Sequence, residues 1–239
     1  MDRPYSKLEK LKEYSVFLAT PTRKDKAMNI ETAVYCSYVA SHPSVQWGYA
    51  STVSPEMSRN MLIEDHNHFT GDKWTNVFFV DDDVVPPLDC LEKLLRLDAD
   101  VCTGIYPLFL HKGFCWSVAE GHDDDWRLMN QSLPKGPWEV RSTGAGCLLV
   151  RREVLEEIGW PYFKMIYQPK WENGGESIKC GEDMYFGGKV RKAGYKIIAD
   201  PTIICKHFNN IDMTKAVEVI RKQFDNRANC PRSEAGDGA

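Results

Sequence analysis

Apolar runs alternate with amphipathic stretches along most of the chain, and their lengths predict an α/β order. Residues 14–19 predict a first strand. Residues 30–40, apolar at Ile30, Ala33, Val34 and Val39, predict a helix, and residues 44–51 a second strand. Ser54 stands where an N-cap belongs, with Pro55 at the first helical position, so the next helix opens there and runs to about Phe69. Val77, Phe78, Phe79 and Val80 form an uninterrupted β-branched and aromatic run, as expected of a strand buried on both faces in a parallel sheet. Leu88, Leu91, Leu94 and Leu95 give an amphipathic helix over 88–97, and residues 101–106 and 114–119 predict two further strands.

The later chain continues the alternation. An apolar strand begins at Cys147, and a helix over 153–158 stops at Gly159. A helix opens at Gly181, Glu182 and Asp183 and ends at Ala193 and Gly194; strands over 195–199 and 202–207 and a last helix over 212–226 follow. Three stretches predict no regular structure: a first-strand loop over 20–24, a polar segment over 121–137, and an aromatic, Gly-rich segment over 160–180 that is a candidate lid. The fold class expected is α/β with a single central, mostly parallel sheet flanked by helices.

Length allows one sizeable core, so residues 14–227 are expected to form one domain, with a lead-in over 1–13 and a disordered tail over 228–239. Hydrophobic residues at 43% and charged residues at 27% are ordinary globular values. With no apolar run long enough to span a bilayer and no apolar leader, the expected location is cytoplasmic. Eight cysteines lie singly with no CxxC pair, which argues for reduced core thiols rather than a zinc site or disulfide framework. A net charge of −4 gives no general attraction to nucleic acid or anionic membrane. Late basic residues (Lys189, Arg191, Lys192, Lys196, Lys206, Arg221, Lys222) are either a solvated helix face or a guide for an anionic acceptor.

The chemistry concentrates where the buried run ends in Asp81, Asp82 and Asp83, before Pro86 and Pro87. Ligands of open α/β sheets bind outside the carboxyl ends of the strands. Three adjacent carboxylates repel and are costly to desolvate unless a cation neutralises them, and hard divalent ions suit oxygen ligands. The alternative is a solvated acidic loop. Asp123, Asp124 and Asp125 serve as an internal control: they follow Gly121 and His122 rather than an apolar strand and read as a solvated turn.

Other candidates admit two readings each. Thr20, Pro21, Thr22 and Arg23 offer hydroxyls and a cation suited to a nucleotide, or are common loop residues. Arg59 is either a solvated helix residue or a phosphate or base ligand. Gly144 and Gly146, flanking Ala145, mark close backbone approach to a ligand or a tight turn. Glu182 and Asp183 favour a helix N-terminus, or one of them is a general base. His207 is a structural histidine or a ligand.

Taken in order, these blocks resemble the GT-A-fold glycosyltransferases, nearest the family 2 type. The resemblance rests on Thr20 to Arg23 after a strand, Ser58-Arg59-Asn60 on a helix, the DxD-bearing strand up to Asp83, Thr143-Gly144-Ala145-Gly146 before a strand, Gly181-Glu182-Asp183 opening a helix, and a late His207. It spans about residues 14–208. It implies transfer of a sugar from a nucleoside diphosphate, UDP by family frequency, using Mn²⁺ or Mg²⁺. Asp81 would contact the ribose, with Asp82 at the variable middle position. Asp83 would hold the metal, completed by His207. Thr20, Pro21, Thr22, Arg23 and Arg59 would line the nucleotide pocket. Gly144, Ala145 and Gly146 would approach the donor sugar or acceptor, Glu182 would bind the donor, and Asp183 would be the base. The acceptor, whether glycan, lipid-linked or nucleic acid, is open. The rival classes are a metal-dependent nucleotidyltransferase, against which stands the lack of a Gly-rich, Lys-bearing loop after the first strand, and a non-catalytic nucleotide-sugar-binding module.

Overall fold

The computed structural model describes residues 13–24, 26–70, 74–110, 113–122, 125–130, 132–169 and 176–208. The lead-in up to residue 12, the helix expected over 212–226 and the tail over 228–239 lie outside the described residues, as do Asp123 and Asp124. In chain order the first part runs β1 (Val16–Arg23), α1 (Ile30–Ala40), β2 (Val45–Thr52), α2 (Pro55–Thr70), β3 (Asn76–Val80), β4 (Val84–Val85), α3 (Cys90–Arg96) and β5 (Val101–Ile105). Hairpins β6 (Pro107–Leu110) with β7 (Gly113–Trp116) and β8 (Val118–His122) with β9 (Asp125–Leu128) precede β10 (Trp138–Val140), β11 (Ser142–Thr143) and β12 (Cys147–Arg151). Then come α4 (Arg152–Ile158), β13 (Ile166–Pro169), β14 (Glu176–Cys180), α5 (Glu182–Lys192), β15 (Ile197–Ile204) and β16 (Lys206–His207).

Seven strands form the central sheet in the order β10-β15-β5-β12-β3-β1-β2. Five of them run the same way, while β12, inserted between β3 and β5, and β10 at one edge run opposite. The sheet is therefore mainly parallel, and helices flank both faces, as the apolar runs predict. The all-buried β3 sits near its middle, and its pleat divides the core: Val77 and Phe79 join one apolar cluster, Phe78 and Val80 the other. The first cluster takes Leu62 and Ile63 from α2, Val154 and Leu155 from α4, and Phe186 and Val190 from α5. The second takes Tyr35, Cys36 and Val39 from α1 and Cys90, Leu91, Leu94 and Leu95 from α3.

Helix boundaries follow local chemistry. Ser54 Oγ accepts the Met57 N–H at 3.3 Å, and Asn29 Oδ1 caps α1 through Glu31 N at 2.8 Å. Gly159 ends α4 at φ +62°, which an L side chain rarely adopts. The seven described cysteines are free, and the Cys90 and Cys147 sulfurs stand 3.5 Å apart in the core.

Three expectations are corrected. Residues 20–23 are not a loop: β1 continues through Arg23, paired with β2 over its whole length. Its pairing with β3 stops at Ala19, so Pro21 sits where the strand is laddered on one side only and its missing N–H is tolerated. The polar 121–137 segment contains β9 and the end of β8, which pair with each other as a hairpin, while β11 pairs with the start of β8 at Val118 and Ala119, so backbone pairing rather than an apolar run makes these strands. Within 160–180, β13 and β14 pair Tyr167 with Ile178, although neither strand is an apolar run.

Candidate functional site

The acid triplet turns the chain at the carboxyl end of β3. The turn closes through Val84 N to Asp81 O at 3.1 Å, and Asp81 N donates to Gly146 O at 3.2 Å. The Asp82 and Asp83 carbonyls accept Asn29 N and Phe208 N, each at 2.8 Å. Backbone bonds thus bind the triplet to the start of α1, the approach to β12 and the residue after β16. Because β12 runs antiparallel, its start lies at the same sheet edge as the ends of β3 and β5, which brings Gly144, Ala145 and Gly146 there.

Asp81 pairs with one cation, and Asp82 and Asp83 share another. Asp81 Oδ1 lies 2.6 Å from Arg59 Nη2. Lys26 Nζ reaches Asp83 Oδ2 at 2.5 Å and Asp82 Oδ1 at 3.2 Å. The other Asp83 oxygen, Oδ1, faces His207 Nε2 at 3.7 Å. Burial raises the Asp82 pKa above the usual carboxylate range, opposed chiefly by the Lys26 charge; burial likewise raises Asp81, with Arg59 opposing.

Arg59, on α2, is only 3% exposed. Its Nη1 donates to Glu182 Oε1 at 2.9 Å, and the guanidinium lies 5.4 Å from the centre of the Phe163 ring. Burial works against its charge, but Asp81 and Glu182 outweigh that and raise its pKa. It is the physical link between the acid turn and the first turn of α5.

Tyr106, one residue beyond β5, is a second organiser. Its hydroxyl accepts the Gly146 N–H at 3.2 Å. A Cβ at Gly146 would meet that oxygen at 2.9 Å, and one at Gly144 would collide with it outright, so both glycines make room for the Tyr106 ring. The ring also packs edge-on against His207, centroids 5.1 Å apart. His207 Nδ1 is 2.9 Å from Pro107 O. A carbonyl only accepts, so Nδ1 carries the proton, and in the neutral ring Nε2 presents its lone pair toward Asp83.

Glu182 and Asp183 form the first turn of α5, preceded by Gly181 as N-cap. Burial, then the neighbouring Glu182 charge, push the Asp183 carboxyl up to about 6, against the pull of the Met184 N–H that Oδ1 accepts at 2.7 Å. Ser142 Oγ fixes the same turn by donating to Asp183 O at 3.0 Å. Burial raises the Tyr106 pKa well above its ordinary value, with the Asp81 and Asp183 charges adding to it.

The structure therefore gathers Asp81, Asp82, Asp83, Arg59, Glu182, Asp183, Gly144, Ala145, Gly146 and His207 at one sheet edge. The β1 residues differ. Thr20 is buried, its Oγ1 accepting Trp47 Nε1 at 3.0 Å, and Thr22 Oγ1 donates to Ala50 O at 3.2 Å. Pro21 is buried between them and Arg23 is exposed at the strand end. The two threonine hydroxyls are thus engaged within the fold. Two residues at the site, Lys26 and Tyr106, carry no sequence motif; Tyr106 is marked only by following an apolar strand at the ligand edge. Among the described residues no three His, Cys, Asp or Glu side chains converge as a closed metal cage, and no helix is long and apolar enough to cross a membrane.

No protein-family profile and no curated protein matches the chain. Among solved structures, A197 from STIV is similar over 82% of this chain and 86% of its own, with TM-score 0.56 and 18% identity, a likeness of fold. GalNAc-T7 with UDP, GalNAc and Mn²⁺ is similar over 87% of this chain and 48% of its own (TM-score 0.47, 12% identity). A nucleoside-diphosphate-sugar pyrophosphorylase from Vibrio cholerae RC9 is similar over 86% and 80% (TM-score 0.40, 12% identity).

Proposed function

We propose that the chain is a metal-dependent glycosyltransferase that moves a sugar from a nucleoside diphosphate, with UDP as the expected carrier, to an acceptor hydroxyl. The observation that carries this reading is the meeting, at one sheet edge, of an Asp83 oxygen and His207 Nε2 3.7 Å apart with a separate carboxyl, Asp183, tuned to about 6.

With His207 in its neutral form, its Nε2 and the Asp83 oxygen are two acceptors that would take a cation between them. The Pro107 bond that fixes the His207 tautomer is the outer contact a metal-binding imidazole ordinarily has. Asp83 Oδ1 and His207 Nε2 would hold Mn²⁺ or Mg²⁺, an ion usually bound by few protein groups plus substrate phosphates. Such an ion supplies Lewis-acid stabilisation of the charge that builds on the leaving diphosphate.

The chain's own residues do the rest. Asp81, held through Oδ1 by Arg59, presents its second oxygen to a ribose hydroxyl. Tyr106 holds the 144–146 backbone at the sugar's side of the site. Asp183 Oδ1 is engaged by Met184 N–H, so Oδ2 takes the proton of the acceptor hydroxyl as it attacks. A pKa of about 6 leaves Asp183 ionised at neutral pH yet more basic than an ordinary carboxylate.

The test is a panel of nucleotide sugars incubated with Mn²⁺ and scored for free nucleoside diphosphate. One donor is expected to turn over, and Asp183→Asn to slow it by about 10²-fold or more while still binding UDP. A panel without turnover removes the proposal; pyrophosphate released from a nucleoside triphosphate instead would favour nucleotidyl transfer.

A further inference from the structure

Lys26 lies between β1 and α1, and its ammonium is shared by Asp83 Oδ2 at 2.5 Å and Asp82 Oδ1 at 3.2 Å. Its own N–H donates to Arg23 O at 3.1 Å, and three residues on, Asn29 N donates to Asp82 O at 2.8 Å. These bonds keep the Lys26 backbone beside the acid turn whichever partner the ammonium takes. The Lys26 side chain is 40% exposed, whereas those of Asp82 and Asp83 are 8% and 19% exposed, so the cation reaches in from the solvent side. A lysine is a compact point charge on a flexible stem, able to swing from carboxylate to phosphate, unlike the rigid guanidinium of Arg59.

We infer that Lys26 is a mobile counter-cation: it neutralises Asp82 and Asp83 before the donor binds, competes with the divalent ion for them, and transfers to the donor's diphosphate when both are bound. This rests on the proposed function, since the ion and the diphosphate are those of that reaction. The argument is electrostatic. A divalent ion held by His207 and Asp83 would share that carboxylate with Lys26, and the two like charges would repel. Two negatively charged side chains then face three positive charges, and an incoming diphosphate supplies the missing anion. Lys26 therefore weakens metal binding in the empty site and strengthens nucleotide binding in the metal-loaded one. The two effects have opposite signs, which a merely structural lysine does not produce.

The experiment titrates Mn²⁺ alone, followed by electron paramagnetic resonance, and then UDP at saturating Mn²⁺, followed by calorimetry, on the full chain. Lys26→Met, with Lys26→Gln as a second charge-removing variant, is expected to bind Mn²⁺ about tenfold tighter and UDP about tenfold more weakly than wild type. Lys26→Arg, which keeps the charge, is expected to stay near wild type in the Mn²⁺ titration. Unchanged affinities, or both shifting the same way, overturn the role of Lys26 while wild-type Mn²⁺ and UDP binding leaves the proposed function standing. Wild-type protein that binds neither Mn²⁺ nor UDP overturns both.

Discussion

Arg59 and Glu182 lie 123 residues apart in sequence and meet at 2.9 Å, with the guanidinium almost wholly buried. The same guanidinium holds Asp81 at 2.6 Å, so one side chain on α2 sets the distance between the acid turn and the N-terminus of α5. Removing it leaves two partly buried carboxylates without their cation.

Arg59→Met is therefore expected to cost about 3 kcal/mol of stability. Urea unfolding at pH 7.5 measures it. Lys at this position keeps a charge but not the two-pronged geometry, and is expected to fall between wild type and Met.

The Asp183 carboxyl gives a pH signature with a defined sign. Its folded pKa of about 6 exceeds the ordinary 3.8, so between those values the folded protein binds the extra proton. Its contribution to stability is accordingly lost as pH rises through that window. Asp183→Asn should be more stable than wild type at pH 7.5 although it is slow in turnover. As a base Asp183 must be ionised, so kcat/KM should fall on the acid side with a midpoint near 6, and Glu182→Gln, by removing a like charge, should move that midpoint downward. Thermal melts and a pH–rate profile check these outcomes.

Gly146 is held to glycine by two neighbours, since an added Cβ would meet both the Tyr106 hydroxyl oxygen and Val84 Cγ2 at 2.9 Å. Gly146→Ala should destabilise by roughly 1–3 kcal/mol. Tyr106→Phe removes the acceptor of the buried Gly146 N–H and should itself cost about 1–3 kcal/mol. Combined, the two should cost less than their sum, because Phe removes the oxygen that the new methyl strikes. Denaturant unfolding of the four proteins completes the cycle.

Asn60 holds the chain after Pro161. Its Oδ1 accepts Tyr162 N and Phe163 N, each at 3.1 Å, and its Nδ2 donates to Phe163 O at 2.8 Å. Asn60→Ala leaves those backbone groups without partners and should cost about 2 kcal/mol. Since Phe163 lies beneath Arg59, UDP affinity should fall as well.

Much of the frame was legible because it rests on local signals. The Val77 to Val80 run, the Ser54 cap and the Gly159 stop each act within a few residues, and each stands where expected. The β8–β9 and β13–β14 strands were not legible, because each is a hairpin of two short, largely polar strands held by backbone pairing rather than by an apolar run. Thr20 and Thr22 show the limit for side chains: their polar groups suit a ligand, but β1 continues past its expected end and turns them toward Trp47 and Ala50. Gly144 and Gly146 suggest close approach to a ligand or a tight turn, but what they make room for is the Tyr106 ring, 38 and 40 residues away with no motif around it. Lys26 carries no signal for the same reason: only the folded chain brings it to the acid turn.

A divalent ion at Asp83 would hold the nucleoside diphosphate in the proposed reaction. Calorimetric titration of UDP into wild type and Asp83→Asn, each with Mn²⁺ and again with excess EDTA, tests it directly. Binding by wild type that requires Mn²⁺ and is lost in Asp83→Asn is the predicted result; equal affinity in Mn²⁺ and EDTA, or in both proteins, would contradict it.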